Sequence, residues 1–427
     1  MRVLDFKNIK VSPEWCFKNT RSVEQWTHGY HRYPAKFLPN VVKKLIEEYT
    51  SDNDVIVDIF AGCGTTLVEA KIHGRESIGV DINPVAELIT RVKTTPIEPE
   101  IIQEYFSKIL NKIDLYTVPE SRELPLHKRI DYWFEKENKN KISFLYQQIL
   151  FLENEIVRDF FLVSLSHILK NCSKWLQSST KPQIDKEKKT ADPFIIFRSH
   201  TKNMVEKNKE FYNYLAEKQL VNIKCEIKLE DARTTSIESE SADMIVTSPP
   251  YVTSYEYADI HQLTGYWFEY IEDLLQFRKK FIGTFYSKNE RFDVELPIAA
   301  EIVNEIKAKD ERMAKEVANY FFDVHKVVQE MNRILKNNGR TCIVVGDTTF
   351  RGIKIKSAEV WSEMLKNNGF QIERVIKRSI PSKLIPTIRD ERTGRFTTLK
   401  NENSKKVYPE EYILIAKKQC HGKNHKR

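Results

Sequence analysis

Two short segments of the sequence carry the residue types best suited to chemistry. The first is DIFAGCGTT, residues 58–66, in which Gly62 and Gly64 follow a β-branched run. Two such glycines let the backbone turn sharply and approach a ligand closely. Asp58 can hold an ammonium group, and Asp81, which ends the next apolar run, is placed to accept hydrogen bonds from ribose hydroxyls. A plain strand-to-helix turn has the same pattern, so the glycine pair is weak evidence by itself.

The number of glycines in this segment argues against one class of enzyme. A dinucleotide-binding fingerprint has a third glycine, and residues 58–66 contain only two. The segment therefore does not favour an enzyme that uses a nicotinamide or flavin cofactor.

The second segment is Thr-Ser-Pro-Pro-Tyr, residues 247–251. Its Pro-Pro step fixes φ at two successive positions and removes two N–H donors. Ser248 and the carbonyl of Pro249 can accept the two N–H bonds of an exocyclic amine, which would aim the nitrogen lone pair at a sulfonium methyl. Tyr251 can then stack on the face of a base. The alternative is an ordinary rigid turn with a packed tyrosine.

The elements around these segments alternate between strands and helices. Short β-branched runs predict seven strands, over residues 55–60, 76–82, 223–229, 244–248, 341–347, 370–380 and 412–418. Amphipathic helical patterns separate the first several strands, which predicts right-handed β-α-β units and a parallel sheet. The last two strands are joined without a helix, which predicts an antiparallel hairpin.

A change in the predicted secondary structure divides the chain into three parts. Residues 94–221 are rich in aromatic helical stretches and interrupt the α/β pattern. We therefore expect an N-terminal segment and cofactor-binding half over 1–93, a helical insertion over 94–221, and a second catalytic half with the base pocket over 222–427. The insertion is a candidate for target recognition, for a lid, or for a dimer surface.

Bulk composition restricts the partners only loosely. The net charge of +8 and pI near 8.9 favour a polyanionic partner, although many unrelated proteins are equally basic. The six cysteines are scattered without metal-ligand spacing, so we expect no metal site and reduced thiols. No apolar run has the length of a membrane span, and the sequence predicts a cytoplasmic protein without a membrane partner.

The two segments, with their spacing to the strands, resemble the amino-group-specific DNA methyltransferases of restriction-modification systems, of the Ser-Pro-Pro-Tyr type. The resemblance extends to HRYPAKF, residues 31–37, and to GVDINP, residues 79–84. It covers roughly residues 28–93 and 222–420. It implies a Rossmann-like α/β fold, with seven mostly parallel strands, a C-terminal antiparallel hairpin and the helical insertion.

The resemblance also implies S-adenosylmethionine as cofactor and assigns site residues. The base-holding and catalytic positions are Ser248, Pro249, Pro250 and Tyr251. The cofactor-binding positions are Pro34, Lys36, Phe37, Asp58, Phe60, Gly62, Gly64, Thr65, Asp81 and Asp231. Among these, Pro34, Lys36 and Phe37 would lie near the methionine end or the adenine of the cofactor. Asp81 would bind the ribose and Asp231 the adenine amino group.

The first residue of the base segment bears on the methylated atom. Within the family, serine there goes mostly with cytosine N4, whereas Asn or Asp goes with adenine N6. The expectation is therefore site-specific transfer to N4 of a flipped-out cytosine, with adenine N6 as the alternative. Cytosine C5 chemistry needs a cysteine nucleophile, usually after a proline, and no cysteine here follows a proline. Cys63 is expected to pack beneath the cofactor.

Double-stranded DNA is the expected partner, and a cognate restriction endonuclease acting on the same site is a further one. The segment 377–408 has nine Lys and Arg against three acidic residues, and we expect Arg389, Arg392 and Arg395 to grip phosphates. A solvated basic loop is the alternative. An RNA N-methyltransferase and a non-catalytic nucleic-acid-binding module also remain open, although the intact motifs argue against the second.

Three further side chains admit both a functional and an ordinary role. Asp259 and His261 follow Tyr251 by one or two helical turns and would face the base, or would lie on a solvated helix face. Asp347 follows a buried strand at the edge where such sheets bind ligands, or it caps the next turn.

Overall fold

A seven-stranded sheet forms the centre of the computed structural model, with strand order β3-β2-β1-β4-β5-β11-β8. Its strands are β1 (Val55–Asp58), β2 (Glu76–Asp81), β3 (Cys225–Leu229), β4 (Ala242–Thr247), β5 (Leu335–Val345), β8 (Phe370–Ser379) and β11 (Glu410–Lys418). Two short pairs add β6 (Thr348–Phe350) with β7 (Ile353–Ile355), and β9 (Ile388–Asp390) with β10 (Ser404–Lys406). The structure describes residues 6–17, 23–34, 36–117, 127–252, 256–284, 295–380, 388–390, 401–402, 404–406 and 410–420.

The first five strands of the sheet are parallel, and only β11 runs against its neighbours. β11 pairs antiparallel with β5 on one side and with β8 on the other, so the last strand of the sheet in sequence is not its edge. All seven predicted strands are present, and the Rossmann-like fold class is confirmed. The expected hairpin of β8 and β11 is also confirmed.

The start of β5 differs from the sequence prediction. The sequence predicts a strand that begins at residue 341, yet β5 begins at Leu335 and includes KNNG, residues 336–339. The pairing with β4 moves from Ala242–Leu335 directly to Met244–Arg340, and Asn338 has a φ of +66°. The four residues therefore form a bulge within the strand, where extra residues on one strand oppose few on its partner.

Helices cover both faces of the sheet. Those associated with the strands are α1 (Pro39–Tyr49), α2 (Thr65–Ile72), α3 (Pro84–Thr94), α9 (Tyr257–Ile260), α10 (Gln262–Trp267), α11 (Leu274–Arg278), α12 (Pro297–Lys307), α13 (Glu311–Ile334) and α14 (Ser357–Asn367). The insertion contains α4 (Pro99–Asp114), α5 (Ile130–Trp133), α6 (Lys136–Leu150), α7 (Glu155–Cys172) and α8 (Pro193–Glu217). None of the helices in the described ranges is both long and apolar enough to cross a membrane.

Alternate residues of the central strands enter two separate cores. Val57 and Ile245 point to the core formed with α12, α13 and α14. Their neighbours Ile56 and Met244 point to the opposite core, which contains α1. Burial on both faces explains why these strands read as continuous apolar runs and not as alternating ones.

The insertion helices share a third core with the catalytic part of the chain. Phe161 of α7 and Phe197 of α8 pack in the same cluster as Leu88 of α3 and Trp267 of α10. The insertion is therefore packed against the helix that follows β2 and against the helices that follow the Ser-Pro-Pro-Tyr segment.

Candidate active site

The turn after β1 depends on two left-handed glycines. Gly62 has a φ of +52° and Gly64 a φ of +76°, a region that side chains with a Cβ rarely adopt. A Cβ on Gly64 would lie 2.8 Å from Cγ2 of Thr90, whereas a Cβ on Gly62 would meet nothing nearer than the Tyr33 ring at 3.7 Å. Gly64 is thus needed for close packing, and Gly62 leaves space beside the turn.

Asp81 at the end of β2 holds this turn. Its Oδ2 accepts a hydrogen bond from the Gly62 N–H at 2.9 Å, and its Oδ1 accepts one from the Asn83 N–H at 2.9 Å. Burial raises the pKa of Asp81 to about 6, although these two hydrogen bonds oppose the shift. Each oxygen retains acceptor capacity, which suits the ribose contact expected of this residue.

Asp58 at the end of β1 joins the glycine turn to the base segment. Its Oδ2 accepts a hydrogen bond from the Thr66 hydroxyl at 2.6 Å, and its Oδ1 accepts one from the Thr247 hydroxyl at 2.6 Å. The Phe60 N–H also donates to Oδ1, at 3.1 Å. Burial raises the pKa of Asp58 to about 6, against the effect of these bonds. The carboxylate is 2% exposed and enclosed by its donors, so a direct ammonium contact stays a prediction.

The Ser-Pro-Pro-Tyr segment follows β4 at the same edge of the sheet as the glycine turn, because β1 and β4 are parallel neighbours. The Ser248 hydroxyl donates its proton to the carbonyl of Val344 in β5 at 3.1 Å. A hydroxyl that uses its one proton in this way presents its oxygen as an acceptor. The buried Tyr320 donates to the Pro250 carbonyl at 2.8 Å, which fixes the second proline.

Tyr251 is half-buried, and its side chain contacts β11 and the residue that follows β5. Its hydroxyl donates to Oε2 of Glu411 in β11 at 3.0 Å. Its ring edge lies against Gly346, where a Cβ would come within 2.9 Å of Cε2. Burial, followed by the nearby Glu411 charge, raises the pKa of Tyr251 well above its usual value, so the phenol stays protonated and donates.

The segment before α1 places an aromatic ring over the glycine turn. The Tyr33 ring is the nearest group to the space that a Gly62 side chain would occupy, and it packs against the His261 ring with centroids 4.8 Å apart. Nζ of Lys36 pairs with Oε1 of Glu24 at 2.5 Å, and its expected contact with the cofactor stays a prediction. Tyr33 belongs to the segment 31–37 and directly precedes Pro34, but it was not among the residues predicted to bind the cofactor.

The remaining residues expected near the cofactor surround the turn at different depths. Pro34, Phe37 and Phe60 are half-buried, and Phe60 packs against the core that contains α13. Thr65 is buried at the start of α2, and its hydroxyl donates to the Phe37 carbonyl at 3.5 Å. This hydrogen bond joins the segment before α1 to the turn.

Asp231 lies just after β3 and is already neutralised. Its two carboxylate oxygens accept from Nε and Nη2 of Arg233 at 2.9 and 2.6 Å. Arg233 also reaches Oδ1 of Asp323 in α13 at 2.9 Å. An adenine amino group at this position would have to share the Asp231 carboxylate with a guanidinium, which the sequence argument did not anticipate.

Asp259, Asp347 and His261, for which the sequence allowed two roles each, all make contacts within the fold. Asp259 forms an ion pair with Arg278, with both contacts at 2.8 Å. Asp347 accepts from the Ala358 N–H in the first turn of α14 at 3.2 Å, as a capping residue does. His261 is buried against Tyr33 and does not lie on a solvated helix face.

The structure reaches only part of the basic segment. The backbone of Arg389 lies in β9, opposite Lys405 of β10. Arg392 and Arg395 fall outside the described residues. Their role in binding phosphates stays a prediction.

Comparison with known proteins adds a family to this geometry. The model of the N6 and N4 methyltransferases, described as DNA methylase, matches residues 5–91 and 242–426, and the helices of the insertion fall between the matched parts. The Type II methyltransferase M.MvaI of Kocuria varians is 29% identical over 411 residues, which cover 87% of each chain. M.BsoBI of Geobacillus stearothermophilus is 24% identical over 265 residues, 56% of this chain and 52% of that protein.

A shorter match and a solved structure accompany these relatives. The Type II methyltransferase M.MjaII of Methanocaldococcus jannaschii is 34% identical over 130 residues, 29% of this chain and 23% of that protein. A crystal structure of an S-adenosylmethionine-dependent methyltransferase from Methanosarcina mazei aligns over 88% of this chain and 97% of the other. Its sequence identity is 11% and its TM-score 0.31.

Proposed function

The chain belongs to the DNA methylase family of N6 and N4 amino-methyltransferases, and we propose that it methylates N4 of a cytosine flipped out of double-stranded DNA. Family membership makes it a DNA methyltransferase of the restriction-modification type, with S-adenosylmethionine as cofactor. The base, the atom and the residues that act on them are our proposal.

One observation supports the choice of an amine as the nucleophile. Because Ser248 gives its proton to the Val344 carbonyl, its oxygen can accept an N–H from the target amine. The Pro249 carbonyl would accept the second N–H, and Pro250 holds the corner rigid. With both protons engaged, the nitrogen lone pair leaves conjugation with the ring and becomes nucleophilic. The amine proton can leave after the methyl arrives, so the site needs mainly to position and polarise.

The residues around the glycine turn fit a nucleoside with a charged side chain. Gly62 leaves open space beside the turn, and Asp81 retains acceptor capacity for ribose hydroxyls. We assign cofactor binding to these residues together with Gly64, Thr65, Phe60 and the segment that contains Pro34, Lys36 and Phe37. Asp58 would act by holding the turn, and Asp231 would approach the adenine while paired with Arg233. When bound, S-adenosylmethionine supplies an electrophilic methyl group on sulfur.

The identity of the base can be read directly. We would express the gene in a host that lacks DNA methylation and map modified positions by single-molecule sequencing. We expect N4-methylcytosine at one recurring sequence. N6-methyladenine at a recurring sequence would replace the cytosine assignment with its alternative, and unmodified DNA would contradict DNA methyl transfer altogether.

A single variant separates an enzyme from a binding module. Tyr251→Ala removes the ring proposed to stack on the base but leaves the glycine turn intact. We expect it to bind S-adenosylmethionine with an unchanged Kd by calorimetry and to lose methyl transfer. A wild-type chain without measurable cofactor binding would support the non-catalytic alternative instead.

The basic segment 377–408 is our candidate for the phosphate contacts, through Arg389, Arg392 and Arg395. Reversing these three charges should reduce the slope of log K against log salt by about 0.9 for each lost phosphate contact. The matched control reverses three lysines on helices that cover the sheet, namely Lys43, Lys326 and Lys366. A slope that is the same in both variants would refute this assignment.

The roles of the larger parts remain proposals as well. We assign cofactor binding to residues 1–93, and the base pocket to residues 222–427. The insertion over 94–221 would read the DNA sequence, because helices fit the major groove. A lid over the cofactor is the alternative for the insertion. We also propose that the enzyme acts in the cytoplasm, beside a restriction endonuclease with the same site.

A further inference from the structure

The hydroxyl of Tyr251 donates to a buried ion pair between β11 and β8, the last two strands in the order of the sheet. Its acceptor, Glu411, lies at the start of β11 and is 8% exposed. Oε1 of Glu411 pairs with Nη1 of Arg378, near the end of β8, which is 2% exposed. Tyr251 therefore donates to a carboxylate whose charge is compensated in place.

The ion pair is itself fixed by the backbone on two sides. Glu411 and Arg378 are direct partners in the antiparallel ladder, so their side chains share one face. Nε of Arg378 donates to the Trp15 carbonyl at 2.7 Å, and Trp15 is fully buried. With both ends of its guanidinium held, Arg378 leaves the Glu411 carboxylate little freedom to follow Tyr251 if the ring moves.

A second contact restrains the ring of Tyr251 itself. Gly346 follows β5, the other neighbour of β11, and approaches Cε2 and Cδ2 so closely that a Cβ would lie 2.9 and 3.5 Å away. The main-chain N–H of Tyr251 also lies 3.4 Å from the Tyr257 hydroxyl. One edge of the ring and its hydroxyl are thus fixed by two adjacent strands, β5 and β11.

We propose that Glu411 and Arg378 are positioning residues for methyl transfer, which hold the Tyr251 ring in the plane required for stacking on the extruded base. The inference rests on the proposed function, since it gives the stacking tyrosine its support. A base that enters the pocket meets a ring that is already oriented, so the ordering of the side chain does not have to occur during binding. Without the anchor the ring is free to rotate, and fewer extruded bases reach the acceptors Ser248 and Pro249.

The test removes the hydrogen bond from each side without leaving a lone buried charge. Tyr251→Phe keeps the ring and deletes the donor. The double variant Arg378→Met/Glu411→Leu deletes the acceptor and its counter-ion together, because a single replacement would leave an unpaired buried charge and endanger folding. The triple variant, which combines Tyr251→Phe with Arg378→Met/Glu411→Leu, completes the mutant cycle. Tyr412→Phe is the matched control, since it removes a hydroxyl from the next residue of β11, whose ring packs on Phe6.

We would measure the single-turnover rate of methyl transfer to a duplex carrying the recognition sequence found by sequencing. A hydrogen bond to a charged acceptor corresponds to about a tenfold to hundredfold effect, and we expect Tyr251→Phe and the double variant each to slow transfer by that factor. The Kd for S-adenosylmethionine should not change. The triple variant should be no slower than the slower of the other two, because the Tyr251–Glu411 hydrogen bond is absent from all three.

Base extrusion can be measured separately, and a general loss of protein stability would not change it. A duplex with 2-aminopurine at the target position brightens when the base leaves the stack, and we expect weaker brightening in both variants but not in Tyr412→Phe. Transfer by Tyr251→Phe at the wild-type rate, or additive losses in the triple variant, would overturn the anchor. Absence of transfer by the wild-type protein would instead refute the proposed function, and the role of the anchor in transfer with it.

Discussion

The pH dependence of cofactor binding follows from Asp81. Its carboxyl group has a pKa of about 6 because it is buried, and it is the residue proposed to accept the ribose hydroxyls. As the pH falls through 6, the carboxylate takes up a proton. The protonated carboxyl group is a weaker hydrogen-bond acceptor than the carboxylate. The affinity for S-adenosylmethionine should therefore decrease on the acid side of neutrality.

The size of the effect comes from the ionised fraction. With a pKa of about 6, Asp81 is about 90% ionised at pH 7 and about 10% ionised at pH 5. If only the carboxylate form binds, the Kd rises about tenfold between these two values. The α-amino group of the cofactor, with an ordinary pKa near 8, stays protonated throughout this range and does not contribute.

Calorimetric titration at constant ionic strength between pH 5 and 7 measures this directly. Asp81→Asn should bind more weakly at pH 7 and should show a flat profile, because its amide does not titrate. Any slope that remains in Asp81→Asn reports on Asp58, whose pKa is also about 6. A wild-type Kd that is the same at pH 5 and pH 7 would refute the role of Asp81 as an ionised ribose acceptor.

Two further predictions concern stability, measured by denaturant unfolding. Thr247→Val should cost about 1.5–3 kcal/mol, because it removes a donor to the buried Asp58 carboxylate; Thr341→Val is the control, since that hydroxyl is buried without a partner in the described part of the chain and should cost nothing. Gly64→Ala should lose about 1–2 kcal/mol for its left-handed backbone and more for the contact with Thr90, so a cost no larger than that of Gly62→Ala would contradict the close packing.

The sheet was readable from sequence because its central strands are buried on both faces. A strand such as β1, with Ile56 in one core and Val57 in the other, must be apolar at every position, and a short β-branched run is the result. The bulge at the start of β5 was not readable. Asn and Gly at 337–339 favour a turn in any context, and only the pairing with β4 shows that the strand continues through it.

Sequence motifs indicate some features of the site but not the partners of its charged side chains. The positions of the glycines, Asp81 and Ser248 depend on backbone geometry and on neighbours set by strand order, which a motif in register with predicted strands can indicate. The partners of charged side chains depend on tertiary contacts. Lys36 pairs with Glu24, a contact that the motif did not indicate.

Asp231 and Glu411 illustrate the same limit in opposite ways. The partner of Asp231 stands two residues away, so Arg233 was visible in the sequence as a competing cation. Glu411 gave no such signal, because it is separated by 160 residues from Tyr251 and by 33 from Arg378. Only the antiparallel placement of β11 between β5 and β8 brings the three together.

The fold joins segments of the chain that are synthesised far apart in time. The backbone around Ser12 and Trp15 bonds to Lys377 and Arg378, so an early part of the translation product docks on a part made 363 residues later. At about 5–20 residues per second, these partners leave the ribosome about 20–70 s apart. Until β11 arrives, the edge of β5 is unpaired and open to association with other chains. Fast elongation from β5 to β11, or chaperone protection until β11 is made, should raise the yield of folded enzyme.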